Sequence, residues 1–425
     1  MNAIQLDPQG GLDALVELLL ADGFRVVGPV VTGGVIAYDD LSSGDDLPTG
    51  WAVEQAPGRW RMHETGDQTR FGYTPGAASW KQYVFPAHQE VLRIRRTDGS
   101  FAVTRPPAPE RPFAFIGVRD CEVTALEVLD RVQLDPDYPD PRYAERRRDA
   151  FIVAVTCAVP SATCWCTSMD GGPVPQHGFD LLLTELNDSD GHRLLAESGT
   201  DRGAELLARL PGSLATPLDR SAADAVAVAA TAQLAPKLSG KELPSLLAGT
   251  ELHPHWEEVA DRCLACSNCT MVCPTCFCST FTDHPELEPD VASRTQEWAS
   301  CFQLDHSNLG GRPVRASVSA RYRQWLTHKL ATWTEQFGTS GCVGCGRCTT
   351  WCPAGIDIVQ ETLALIGPAA DRDITDRDIT DRASDHRDSD HRDSDHRDSD
   401  HRDSGHRASD HRDSDHRASG GPGTA

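Results

Sequence analysis

Along this chain, apolar residues fall every three or four positions in some stretches and in short unbroken runs in others. These two periods divide it into helices and strands. Leu12, Leu15, Val16 and Leu19 share one helical face, which Gly23 terminates. Residues 26–38 read as a hairpin turning at Gly33 and Gly34. Short apolar runs predict buried strands at 113–118, 151–156 and 181–186. Val123, Leu126, Leu129 and Val132 fit a helix directly after the first of these, and the alanine-rich segment 222–234 predicts another. Proline-rich stretches at 106–112 and 136–141 are connections. Strands alternating with helices make residues 1–250 a mixed α/β domain, followed by a linker over 235–255.

The pattern then becomes helical. Tyr322, Trp325, Leu326, Leu330, Trp333 and Phe337 form a stripe at helical spacing, which reads as core. Val359, Leu363 and Ile366 repeat it, with Gly367-Pro368 as the stop signal. Residues 256–368 are therefore expected to form an α-helical domain. From Asp371 onward the chain falls into five-residue units, first DRDIT and then DHRDS, with 16 Asp, 10 Arg and 7 His. Such a segment buries too little apolar surface to offset its ordering entropy, so residues 371–425 are expected to be a disordered low-complexity tail. Its regularly spaced histidines raise a metal-buffering alternative. A repeat expansion with no specific role is the simpler reading.

Composition narrows the function. A length of 425 residues allows two or three domains, and a net charge of −23 argues against nucleic acid as a partner. The N-terminal MNAIQLDPQGG carries no basic region and no apolar core of a secretory signal. The apolar stretch 12–20 is too short to span a bilayer. Fifteen cysteines, mostly at metal-type spacings, suit a reducing compartment, and a cytoplasmic location is expected.

Two cysteine runs carry the chemistry. Cys263, Cys266, Cys269 and Cys273 are followed by Pro274, and Cys342, Cys345, Cys348 and Cys352 by Pro353, both in the pattern C-x2-C-x2-C-x3-C-P. This spacing holds 4Fe–4S clusters, and in two-cluster ferredoxins the fourth cysteine of each run ligates the other cluster. Cluster one is therefore assigned to Cys263, Cys266, Cys269 and Cys352. Cluster two takes Cys342, Cys345, Cys348 and Cys273. Gly344 and Gly346 let the backbone approach sulfur, and Arg347 is placed to offset cluster charge. Zinc also uses paired C-x2-C runs, but it needs four ligands and would leave sulfur surplus. The long segment between the runs favours an α-helical ferredoxin-like domain over the compact β-hairpin kind.

Seven cysteines lie outside the runs. Cys121 and Cys157 each follow a predicted strand. If those strands are parallel neighbours, both thiols sit at the carboxyl edge of the sheet, where α/β folds bind ligands. With Cys164 and Cys166 they form a candidate third metal site, iron–sulfur ahead of zinc, the alternative being small buried hydrophobes. The helix N-terminus at Cys121 is expected to favour its thiolate. Cys276, Cys278 and Cys301 are expected in or beside the core. No G-x-G-x-x-G follows a strand, and no G-x4-G-K-[ST], G-x-S-x-G or H-E-x-x-H occurs, so nucleotide binding and hydrolytic chemistry lack support. His63, His88, His177 and His328 read as solvated or structural.

The strings GVRDCEVTALEVLDRV, FIVAVTCAVPSATCWCTSMDGGP, CLACSNCTMVCPTCFC and HKLATWTEQFGTSGCVGCGRCTTWCPAGIDI together resemble a known family. It is the iron–sulfur beta subunit of cytoplasmic nickel–iron hydrogenases of the sulfhydrogenase type. They are also similar to the iron–sulfur relay protein of anaerobic sulfite reductase, which shares the dicluster pattern. The resemblance covers about residues 10–368. It implies a non-catalytic relay subunit, with two 4Fe–4S clusters and a candidate third. The implied partners are a flavin subunit that handles NAD(P)H and a nickel–iron hydrogenase or sulfite reductase subunit. It also draws Cys121, Cys157, Cys164 and Cys166 into the family motif. One departure is that Asp120-Cys121-Glu122 stands where the family has Pro-Cys-Asp. A redox sensor or zinc-stabilised interaction module is the reading from another class, and no basic recognition helix supports it.

Overall fold

The computed structural model describes residues 3–367 apart from 75, 235–237 and 288–289. Its main sheet has eight strands in the order Ser213–Leu214, Ala3–Leu6, Gly191–Ser198, Leu181–Asp188, Phe151–Val155, Phe113–Val118, Arg25–Thr32 and Val35–Asp40. The four strands from Leu181–Asp188 to Arg25–Thr32 pair in parallel, and antiparallel strands flank them. Burial on both faces explains why the parallel core reads as continuous apolar runs, successive residues facing opposite sides. Ala114, Ile116, Val153 and Val155 face one core with Leu12, Leu15, Val16 and Leu19 of the helix Gly10–Ala21. Phe113, Phe115, Ile152 and Ala154 face the other, against Val123, Leu126 and Leu129 of the helix Asp120–Gln133. The strands Phe113–Val118 and Phe151–Val155 are parallel neighbours, as the reading of Cys121 and Cys157 requires.

A second sheet, wholly antiparallel, runs Ser279–Pro285, Val291–Trp298, His88–Thr97, Ser100–Thr104. It corrects two expectations. The region after 256 is not purely helical, because a hairpin lies between its cysteine runs. Nor do residues 1–250 stand apart from it, because that hairpin pairs with His88–Thr97, and the described residues up to 367 pack as one unit. The hairpin escaped notice for a physical reason. Ser279–Pro285 is mostly polar and largely exposed, so it carries no alternating apolar signal.

The aromatic stripe does form core. Tyr322, Trp325, Leu326 and Leu330 pack with Trp256, Ile358, Val359 and Leu365. Its helix Val318–Thr327 passes into a wider π turn, His328–Thr332, before Trp333–Phe337 ends at Gly338. The expected linker contains the helix Leu243–Leu247, whose Leu243 and Leu247 enter this same core. The helix Ile358–Ile366 closes it, capped by the Asp357 side chain. The expectation for the tail, 371–425, falls outside the described residues. Among the described residues no helix is long and apolar enough to cross a membrane.

Candidate functional site

The two cysteine runs fold alike. In the first, Ala265 and Ser267 take positive φ of 49° and 70°. Gly344 and Gly346 take 66° and 72° at the matching positions of the second. In each, the left-handed residue turns its N–H back onto sulfur: Ala265 N donates to Cys263 Sγ at 3.4 Å, and Gly344 N to Cys342 Sγ at 3.4 Å. A one-turn helix follows each time, Asn268–Met271 and Arg347–Thr350. Non-glycine residues at such φ cost of order 1–3 kcal/mol, and that strain concentrates at functional sites. Glycine in the second run has a further cause. A Cβ on Gly344 would lie 2.6 Å from the backbone of Cys166, and Trp165 N donates to Gly344 O at 2.8 Å. The second run is thus pressed against the loop that carries Cys164 and Cys166.

The last cysteine of each run lies close to the other run. Cys263, Cys266, Cys269 and Cys352 line one cavity together with Cys348, walled by Tyr322, Trp325 and Ile358. Cys273 lies instead within electrostatic reach of Cys342, Cys345 and Cys348. Burial, chiefly, pushes the thiols of Cys263, Cys269, Cys345 and Cys348 up, and that of Cys342 to about 12. Cys273 goes the other way. A hydrogen bond from Cys276 and the ammonium of Lys329 pull its pKa well below the usual thiol value.

The surrounding charges fit an anionic cofactor. Lys329, buried in the π turn, donates from Nζ to Gly341 O at 2.8 Å, Thr275 Oγ1 at 2.9 Å and Cys273 Sγ at 3.4 Å. Lys81, also buried, donates to Cys276 O at 2.9 Å and sits 3.6 Å from the centre of the Trp298 ring. Neither has a carboxylate partner among the described residues. An uncompensated buried cation costs several kcal/mol, and the negative charge that faces these two comes from sulfur. Arg347 lies beside the Cys345 thiol, as expected, and is also paired with a carboxylate. Its Nη2 donates to Glu122 at 2.7 Å and its Nε to Gly76 O at 3.2 Å. Burial opposes its charge, but Glu122 and the thiols of Cys345 and Cys121 outweigh burial.

Cys121, Cys157, Cys164 and Cys166 do come together, lining a second cavity with Cys345 and Arg347. Arg119 beside it donates to three carbonyls, of Thr156 just after a strand and of Phe71 and Tyr73 in a loop, at 2.7–3.0 Å. One detail is corrected. The helix N-terminus does not favour the Cys121 thiolate; burial dominates and drives its pKa up. Cys276, Cys278 and Cys301 belong to neither set. Sequence reasoning missed Glu122, Lys81 and Lys329. The one available signal was Lys329 interrupting an apolar stripe beside Leu330.

Residues 262–356 match the 4Fe-4S dicluster domain family. Over 339 residues the chain is 30% identical to sulfhydrogenase 2 subunit beta of Pyrococcus furiosus, covering 79% of this chain and 90% of that relative. No solved structure matches. With the dicluster pattern folded into paired sulfur loops and the likeness extending through the α/β region, the chain belongs to the sulfhydrogenase beta-subunit family of iron–sulfur electron-transfer proteins.

Proposed function

We propose that the eight run cysteines hold two 4Fe–4S clusters crosswise, and that Cys121, Cys157, Cys164 and Cys166 hold a third. When bound, each cluster supplies a one-electron carrier. The protein relays electrons between a flavin subunit that handles NAD(P)H and a nickel–iron catalytic subunit, in the cytoplasm. The observation that supports the reading is that Cys352 lines the first run's cavity, with Cys348 beside it, while Cys273 lies in the second run's neighbourhood. Among the described residues no three Cys, His, Asp or Glu side chains are grouped to share a single metal ion. Sulfurs spread around a cavity suit a polynuclear cluster better than zinc, whose ligands lie at about 2.0–2.3 Å.

The chain's own residues do three things. The apolar walls, with Tyr322, Trp325 and Phe302, keep water from the sulfurs. The N–H groups of Ala265 and Gly344 stabilise sulfur charge. Lys329 fixes a positive charge beside Cys273, which favours the reduced state of that half. The relative that matches is a sulfhydrogenase subunit, and nothing found favours the sulfite reductase alternative. Iron and sulfide analysis of the full chain, purified without oxygen, tests the proposal. At least about 8 Fe per chain is expected from the two runs, and Cys157→Ala with Cys164→Ala should remove about 4 more from a three-cluster total. A natively folded, iron-free protein would sink it. Co-purification with a nickel–iron subunit tests the partner, and a sirohaem partner instead would overturn it.

A further inference from the structure

Three cysteines unused above line a cavity of their own. Cys276 and Cys278 come from the turn after the first run, and Cys301 from the loop after Val291–Trp298. The empty space there, mouth included, is about 650 Å³, against about 460 Å³ around Cys263 and Cys352 and about 530 Å³ around Cys121 and Cys166. Three features mark it as a ligand site. Phe277, Trp325 and Trp333 give it an apolar side, beside polar Thr270, Ser307, Arg315 and Gln324. Lys329 faces it, bringing the buried positive charge that an anionic cluster needs. His306 faces it too, and the imidazole has no hydrogen-bond partner among the described residues. The sulfurs are spread around the space and do not converge on a point, as in the other two sets.

We propose that Cys276, Cys278 and Cys301 hold an additional iron–sulfur cluster, with His306 as the fourth ligand. Histidine replaces cysteine in this role in known cluster types. Binding releases the three thiol protons to solvent, and the cations facing the cavity offset the thiolate charge that remains. The site adjoins both halves of the dicluster. Cys276 sits beside Cys273, and Cys301 lies within electrostatic reach of Cys269. A cluster here gives the pair a branch by which electrons enter or leave. The inference rests on the dicluster reading, since it supposes a chain already loaded with iron and sulfide.

The test compares the full chain with its Cys278→Ala/Cys301→Ala variant, both purified without oxygen. Iron and acid-labile sulfide should each fall by about 4 per chain, while the spin-coupled EPR signal of the dicluster persists. Equal iron in both proteins overturns the inference and leaves the dicluster reading intact. Loss of one zinc in place of iron also overturns it. Failure of the dicluster reading would look different, as a parent protein without iron. Should the variant misfold, the parent decides. Cys276, Cys278 and Cys301 should resist iodoacetamide in the folded, loaded chain and react after chelation. Labelling of all three before chelation refutes the assignment.

Discussion

Replacing Lys329 by methionine should shift the reduction potential of the cluster assigned to the second run. The ammonium lies 3.4 Å from Cys273 Sγ and has no carboxylate partner among the described residues. An electron added to a cluster bound through that sulfur is spread over the cube, at a mean distance of about 6 Å from the ammonium. At an effective dielectric of about 20, a unit charge there contributes about 3 kcal/mol to the reduced state. For a one-electron couple that corresponds to about 120 mV. Methionine keeps the unbranched volume without the charge. It strands no buried acceptor, because Thr275 Oγ1 already donates to Gly341 O at 2.6 Å. The expected result is a potential lower by about 100 mV for one signal in an EPR-monitored titration, the other moving less. An unchanged or raised potential would refute the placement of Lys329 beside a cluster.

Three further outcomes follow from the packing. Glu122→Ala strands the buried guanidinium of Arg347 and should cost about 3–5 kcal/mol in urea unfolding. Unaltered stability would show that the 2.7 Å pair does not form. Gly344→Ala should cost about 1–3 kcal/mol, because the backbone is left-handed and a Cβ meets the Cys166 loop. Ala265→Gly should be nearly neutral, relief of strain being offset by unfolded-state entropy, so equal costs for the two would contradict the packing. Asp219 is buried, but hydrogen bonds from Thr216, Gln5 and Arg193 outweigh burial and hold its carboxyl well below the usual range. A depressed folded pKa stabilises fully above the unfolded value and is lost as pH falls, so the stability gap to Asp219→Asn should shrink below about pH 4. A gap that widens on acidification would contradict the sign.

The parallel core was legible because it is buried on both faces. Runs such as Phe113–Val118 and Phe151–Val155 admit few other readings, and their parallel pairing, which the sequence left as a condition, puts Cys121 and Cys157 on one sheet edge. The dicluster motif was legible because a cluster dictates ligand spacing. What escaped was whatever depends on distant pairing. The strand Ser279–Pro285 gains its partners from Val291–Trp298, which in turn pairs with His88–Thr97, and no local pattern encodes that. Lys81 and Lys329 escaped for the converse reason. A lysine reads as solvated until tertiary structure encloses it. Gly344 was read as an approach to sulfur, which holds, but its contact with Cys166 needed the folded neighbour.

The crossed ligation is tested most directly by EPR of the reduced, anaerobically prepared full chain carrying Cys352→Ser, set beside Cys266→Ser and Cys345→Ser. The account predicts that Cys352→Ser perturbs the same signal as Cys266→Ser, although Cys352 belongs to the second run. A spectrum matching Cys345→Ser would contradict it.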